Sequence, residues 1–124
     1  MSKRLFLKSL SALTLGCAWT ALAHAQAFPS KPIRLIIPMA AGGATDIYIR
    51  TLTPRMTELF GQPVVVDNRA GANGIIGNEM GVRAAPDGHT LLANSLSIAI
   101  NPGLYKLDYD VVRDLAGITQ LGSV

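Results

Sequence analysis

The chain has 124 residues, enough for one modest domain, and 49% of its side chains are apolar, so it reads as globular and not disordered. Lys3, Arg4 and Lys8 carry the whole formal excess of +3, since eight basic side chains face eight acidic ones beyond residue 25. A neutral body excludes the electrostatic footprint of a nucleic-acid binder, and the single cysteine, Cys17, excludes a disulfide framework or a thiolate metal site.

Met1 to Lys8 is a short basic segment, and Ser9 to Ala23 is an uncharged, mostly apolar run ending at Ala23-His24-Ala25, a small-x-small cleavage signature. This is the layout of a secretory signal peptide over residues 1–25. Ala25-Gln26-Ala27 fits as well, so the mature start falls at Gln26 or Phe28. An uncharged run of about 15 residues falls short of the roughly 20 needed to span a bilayer. The mature chain is expected outside the cytoplasm.

Ile33 to Pro38 is aliphatic on both faces and predicts a strand of a parallel sheet. Met39 to Thr45 is a small-residue turn. Asp46 to Phe60 then shows helical spacing at Ile49, Leu52, Met56, Leu59 and Phe60, with Thr45 or Asp46 as the cap and Gly61 at the end. Pro54 predicts a kink or a restart. Pro63 to Asp67 is a second strand and Asn68 to Asn73 a loop. Gly74 to Ala84 is a small-residue helix expected to pack closely through Gly77 and Gly81. Ala85 to Gly88 is a turn, with His89 read as a surface residue beside it. Thr90 to Ala93 is a third strand and Asn94 to Ser97 a polar loop. Asn101-Pro102 reads as a cap followed by a first helical Pro, Asp110 as the cap of a short turn to Asp114, and Gly117 to Val124 as a further strand. Strands alternating with helices define an α/β class with a mostly parallel sheet. A strand at the very end leads us to expect a piece of a longer protein.

In open α/β sheets, ligands sit beyond the carboxyl ends of the strands. Met39 to Asp46, Asn68 to Gly74, and Asn94 to Ser97 occupy that position, and each is rich in Gly, Ala, Ser, Thr or Asn. Small side chains let an anion reach backbone N–H groups at a helix N-terminus. Each loop also has a plain structural reading as a turn, and Asp46 reads more readily as a cap than as a ligand contact. A dinucleotide site would use Asp67 after a glycine-rich turn, but G-x-G-x-x-G is absent after the first strand. Beyond the leader His89 is the only histidine, and no nucleophile, metal set or catalytic residue is nominated.

Four blocks in register carry a resemblance. They are Phe28-Pro29-Ser30-Lys31-Pro32-Ile33 with Ile37-Pro38-Met39-Ala40-Ala41-Gly42-Gly43-Ala44-Thr45-Asp46, then Gly61 to Gly74, Ala84 to Leu92, and Asn101 to Tyr105. In this order they resemble the extracytoplasmic solute receptors of tripartite tricarboxylate transporters, the TctC or Bug family, over essentially all of Phe28 to Val124. The resemblance implies a periplasmic-binding-protein-like (type II) fold of two α/β lobes around a cleft. Residues 26–124 would be the first lobe, truncated before the second. It implies a periplasmic receptor and not an enzyme, without a cofactor. The ligand would be a small carboxylate: a di- or tricarboxylate, an acidic amino acid or a related acid. The partners would be the membrane permease subunits.

Carried across by position, the ligand contacts fall at Ala41, Gly42, Gly43, Thr45 and Asp46, at Ala72, Asn73 and Gly74, and at Ser95, Leu96 and Ser97. Pro54, Ala70 in place of a common Pro, and His89 in place of a common Tyr depart from the pattern. A secreted enzyme using the same loops and a non-functional truncated copy are the alternatives.

Overall fold

The computed structural model describes residues 27–122, so the expected leader and its cleavage site lie outside the described residues. Strand β1 (Ile33–Ile37) is the centre of a three-stranded parallel sheet, between β2 (Val64–Asn68) and β3 (Thr90–Leu92), in the order β2-β1-β3. Ile33 pairs with Val64 and Ile37 with Asn68 on one side, and Arg34 with Thr90 and Ile36 with Leu92 on the other. Central placement explains why the run is aliphatic apart from Arg34, because side chains of both faces meet helices.

Leu35 and Ile37 share a buried cluster with Ile49 and Ala93, against which Met56, Val66 and Leu91 pack. Ile49 and Met56 belong to helix α1 (Ala44–Phe60), which therefore covers this face. Helix α2 (Ile75–Val82) covers the opposite face, through the expected glycines. A Cβ at Gly77 would stand 2.6 Å from Cβ of Pro38 and 2.8 Å from the carbonyl oxygen of Arg69, and one at Gly81 would stand 3.2 Å from Leu92. Only hydrogen fits at Gly77.

Helix α1 runs without interruption through Pro54, so the expected restart is absent. Proline removes the backbone donor that the Arg50 carbonyl would otherwise receive. The Thr53 hydroxyl donates to that carbonyl at 3.3 Å and stands in for the missing N–H. The helix ends as expected, with Gly61 in the left-handed region at φ 64° and its N–H bonded to the Thr57 carbonyl.

Three further expectations need correction. Asn101 and Pro102 do not open a helix; they lie inside α3 (Ser97–Leu104), and Asn101 is fully buried. Among the described residues no strand forms beyond Gly117, because no partner strand meets that segment; the short helix α4 (Val111–Asp114) precedes it. The Asp110 carboxylate does accept from the amides of Val112 and Arg113, as its capping role requires.

His89 is the third correction: it is buried, not on the surface. Its Nε2 accepts from the Ser30 amide at 3.3 Å and its ring meets Phe28 edge-on at 4.9 Å, so it fastens the N-terminal segment to the turn before β3. No described helix is long and apolar enough to cross a membrane.

Candidate functional site

The order β2-β1-β3 sends the chain from β1 outward on one side and then back across to the other. The loops after β1 and β3 therefore part on either side of a crevice at the carboxyl end of the sheet. All three strands end at the same level, because the Arg69 amide after β2 bonds the Ile37 carbonyl at 2.8 Å and the Ala93 amide after β3 bonds the Ile36 carbonyl at 2.9 Å. All three small-residue loops emerge at this end. Gly74 of the second loop sits against the first and third: a Cβ there would be 3.2 Å from the Pro38 carbonyl oxygen and 3.7 Å from Oγ of Ser97.

The first loop is held by Asp46 from inside. Neither Thr45 nor Asp46 caps α1; the cap is Gly43, without a side-chain bond. Asp46 stands in the first helical turn and reaches back, accepting from the Gly42 amide at 2.8 Å, from Nε of Arg50 at 3.0 Å and from Nδ2 of Asn68 at 3.0 Å. The Arg50 hydrogen bond, then that of Gly42, holds this carboxyl at about 2, against the pull of burial in the other direction. Asn68 also donates to the Met39 carbonyl at 3.3 Å and accepts from Arg50. Gly42 needs φ 81° to bring its amide round to Asp46, a conformation that favours glycine.

The second loop turns through left-handed backbone at Ala72 (φ 46°), Asn73 (φ 54°) and Gly74 (φ 87°). Asn101 clamps it, accepting from Nδ2 of Asn73 at 2.8 Å and donating to the Asn73 carbonyl at 3.0 Å. In the third loop Asn94 bonds buried Asn78 and accepts from the Ser95 amide at 2.9 Å, while the hydroxyls of Ser95 and Ser97 lie 3.2 Å apart. Asp67, the acid that a dinucleotide site would need free, is bonded to Arg34 and Arg69. Burial would raise its carboxyl, but the Arg34 and Arg69 hydrogen bonds outweigh that and hold it low.

Between α1 and the third loop lies a cavity of about 740 Å³. Its wall is made by Ala44, Thr45, Tyr48 and Ile49 of α1, Ala93 to Leu96, and Gln120 to Gly122. No charged side chain lines it. The first-turn amides of α1 have no acceptor within the helix and carry the positive end of its dipole. Of the expected contacts, Thr45, Ser95 and Leu96 line this cavity. The other expected contacts do not line it: Ala41, Gly42 and Gly43 are exposed in the turn before α1, Ala72 and Asn73 are exposed in the second loop, where Asn73 is bonded to Asn101, Gly74 is buried, and Ser97 meets Ser95 through its hydroxyl.

Asp46 faces its own loop, its acceptor positions occupied. Tyr48 was not anticipated, although its spacing of three from Thr45 puts both on one helix face. Gln120 gave no signal, because its segment reads as a strand. Among the described residues no group of three or more His, Cys, Asp or Glu side chains comes together as a metal site.

Fold and crevice together define one lobe of an α/β protein of the periplasmic-binding type. The sequence profile of the tripartite tricarboxylate transporter family receptor matches residues 48–124, and the chain belongs to that family. It is 38% identical to protein BugT of Bordetella pertussis, an alignment covering 100% of this chain and 38% of BugT. MatC from Rhodopseudomonas palustris, solved with bound malate, matches 52% of this chain and 22% of its own at 40% identity, with a TM-score of 0.51. A second R. palustris protein, solved with adipate, matches the same shares at 34% identity and a TM-score of 0.51. The chain thus spans little more than a third of BugT.

Proposed function

We propose that residues 26–124 form the first lobe of a two-lobe extracytoplasmic receptor, exported by a leader over residues 1–25, that captures a small carboxylate. The carrying observation is the cavity without charged side chains that Ala44 and Thr45 of the first turn of α1 line together with Ser95. Amide donors and a helix dipole stabilise an anion without a fixed cation. Malate and adipate in the two structural relatives are anions of this kind. Ala41 to Gly43, Thr45, Ser95 and Leu96 meet the ligand, while Asp46, Asn73, Gly74 and Ser97 hold the loops in place. A second lobe closes the other wall, and the permease subunits of a tripartite transporter receive the ligand. On this reading the receptor binds and releases its ligand without turnover.

A carboxylic-acid library screened by amide-resolved NMR tests this reading. Acids are expected to shift the amides of Ala44 to Asp46 and of Ser95, with a Kd of about 1 mM for one lobe alone. Shifts confined to other surfaces would overturn it.

A further inference from the structure

Histidine is the side-chain type whose charge ordinarily changes between about pH 5 and pH 8, and His89 is the only one beyond residue 25. Its two ring nitrogens face backbone groups whose roles cannot change. Nδ1 lies 3.1 Å from the Asp87 carbonyl oxygen, which only accepts, so this nitrogen carries the proton. Nε2 lies 3.3 Å from the Ser30 amide, which only donates, so this nitrogen offers its lone pair. Only the neutral Nδ1–H tautomer satisfies both partners.

These contacts carry the N-terminal segment. Among the described residues, two hydrogen bonds tie Ala27 to Lys31 to the rest of the lobe: Ser30 to His89, and Lys31 to Asp87 at 2.8 Å. The Phe28 ring meets the His89 ring edge-on, so every tie lands on one turn. The Lys31–Asp87 pair is open to solvent and weak, which leaves Ser30–His89 as the tie that decides.

The charged groups around the ring are few. The Asp87 carboxylate lies 3.5 Å from Nδ1 and is shared with Lys31. On β1, the Arg34 amide bonds the His89 carbonyl while its guanidinium holds Asp67. Asp114 of α4, which shares a cavity wall with Gly88 and Thr90, is paired with Arg113. A proton arriving on Nε2 sets N–H against N–H at Ser30. The positive ring also competes with Lys31 for Asp87, so one proton loosens both polar ties.

From this arrangement of donors and acceptors we infer that His89 is a proton-operated latch: neutral, it holds the segment from Ala27 to Lys31 on the lobe, and charged, it lets that segment go. Release stops at Ile33, whose amide bonds the Pro63 carbonyl at 2.9 Å. The latch stands apart from whatever the cavity beside α1 binds. In the extracytoplasmic setting proposed above, it couples the start of the folded chain to the acidity of the surroundings.

NMR of the chain from pH 8 to pH 5 tests this, reading the His89 ring nitrogens together with amide protection from hydrogen exchange. At pH 8 the ring should carry its proton on Nδ1. As the ring takes up its second proton, protection of the Ser30 amide should fall about tenfold while that of Ile36 holds. His89→Gln keeps a side-chain acceptor without a charge change and should hold Ser30 protection within about twofold over the whole range. His89→Phe keeps a ring and removes the acceptor, and should leave Ser30 unprotected at every pH. A proton on Nε2 at pH 8, a ring still neutral at pH 5, or a Ser30 amide that stays protected beside a charged ring overturns the latch. The same fall in His89→Gln, or an equal fall at Ile36, assigns the acid response to another group or to global unfolding and overturns it as well.

Discussion

Asn73 and Asn101 hold each other twice, the amide of Asn73 bonding the side-chain oxygen of Asn101 and the amide of Asn101 bonding the Asn73 carbonyl. One partner sits on strained left-handed backbone and the other has no exposed surface. Replacing Asn101 with Leu leaves both Asn73 groups without those bonds. Loss of the pair should lower stability by about 1–3 kcal/mol in urea unfolding. Amide exchange at Gly74 should quicken with it. An unchanged midpoint with an unchanged exchange rate would show that the loop holds its shape alone.

Asp46 makes the lobe acid-sensitive. Its carboxyl titrates at about 2 in the fold, below the usual 3.8. The unfolded chain therefore takes up its proton first as pH falls. The stabilisation from Asp46 is complete above about pH 4 and drains away toward pH 2. Asp87 and Asp114 are also held at about 2, by Lys31 and Arg113 respectively. Those pairs lie at the surface, where solvent screens them. Thermal melts from pH 6 to pH 2 should fall less steeply for Asp46→Asn than for the parent. Parallel curves would remove Asp46 from the acid response.

Glycine at two helical positions should answer oppositely to alanine. Gly77→Ala drives a methyl into Pro38 and the Arg69 carbonyl, neither of which is a flexible chain end. Overpacking of this kind costs about 1–3 kcal/mol. At Gly103 nothing lies within 4 Å of the added carbon, and α3 gains a better helix former. Gly103→Ala should raise stability by up to about 0.5 kcal/mol, a gain reduced by its place in the last turn. Denaturant midpoints of the two variants decide the matter, and a tolerated Gly77→Ala would contradict the close contact of α2.

Pro54 and Thr53 form a coupled pair. Pro54→Ala returns a backbone donor to the Arg50 carbonyl at an exposed position and should stabilise α1 by about 1–3 kcal/mol. Thr53→Val should cost about 0.5–1 kcal/mol in the parent and almost nothing beside Pro54→Ala. A double-mutant cycle measures that difference. Additive effects would mean the hydroxyl does not replace the lost donor.

The three strands and the class of fold were legible because Ile33 to Ile37, Val64 to Val66 and Thr90 to Leu92 are short aliphatic or β-branched runs with turn residues on either side. Gly77 and Gly81 were legible for the same kind of reason, since paired glycines on a helix face announce a close neighbour. Asn101 was not. Asn-Pro has the local chemistry of a helix start, and only the distant Asn73 makes it an interior clamp. His89 was misread because Pro-Asp-Gly marks a turn, while the Phe28 and Ser30 that bury it lie some sixty positions away. The loops were found from composition, but the division between lining and frame was not. Whether a small polar residue faces the crevice or its neighbour depends on partners that spacing does not encode.

Because the cavity wall carries no formal charge, attraction for an anion fades within a few ångströms of the first turn of α1. Encounter should then proceed by ordinary diffusion, without the long-range guidance that makes capture rates collapse as salt is added. A receptor of the proposed kind would keep its capture rate through swings in external ionic strength, and would discriminate among solutes only after they have touched.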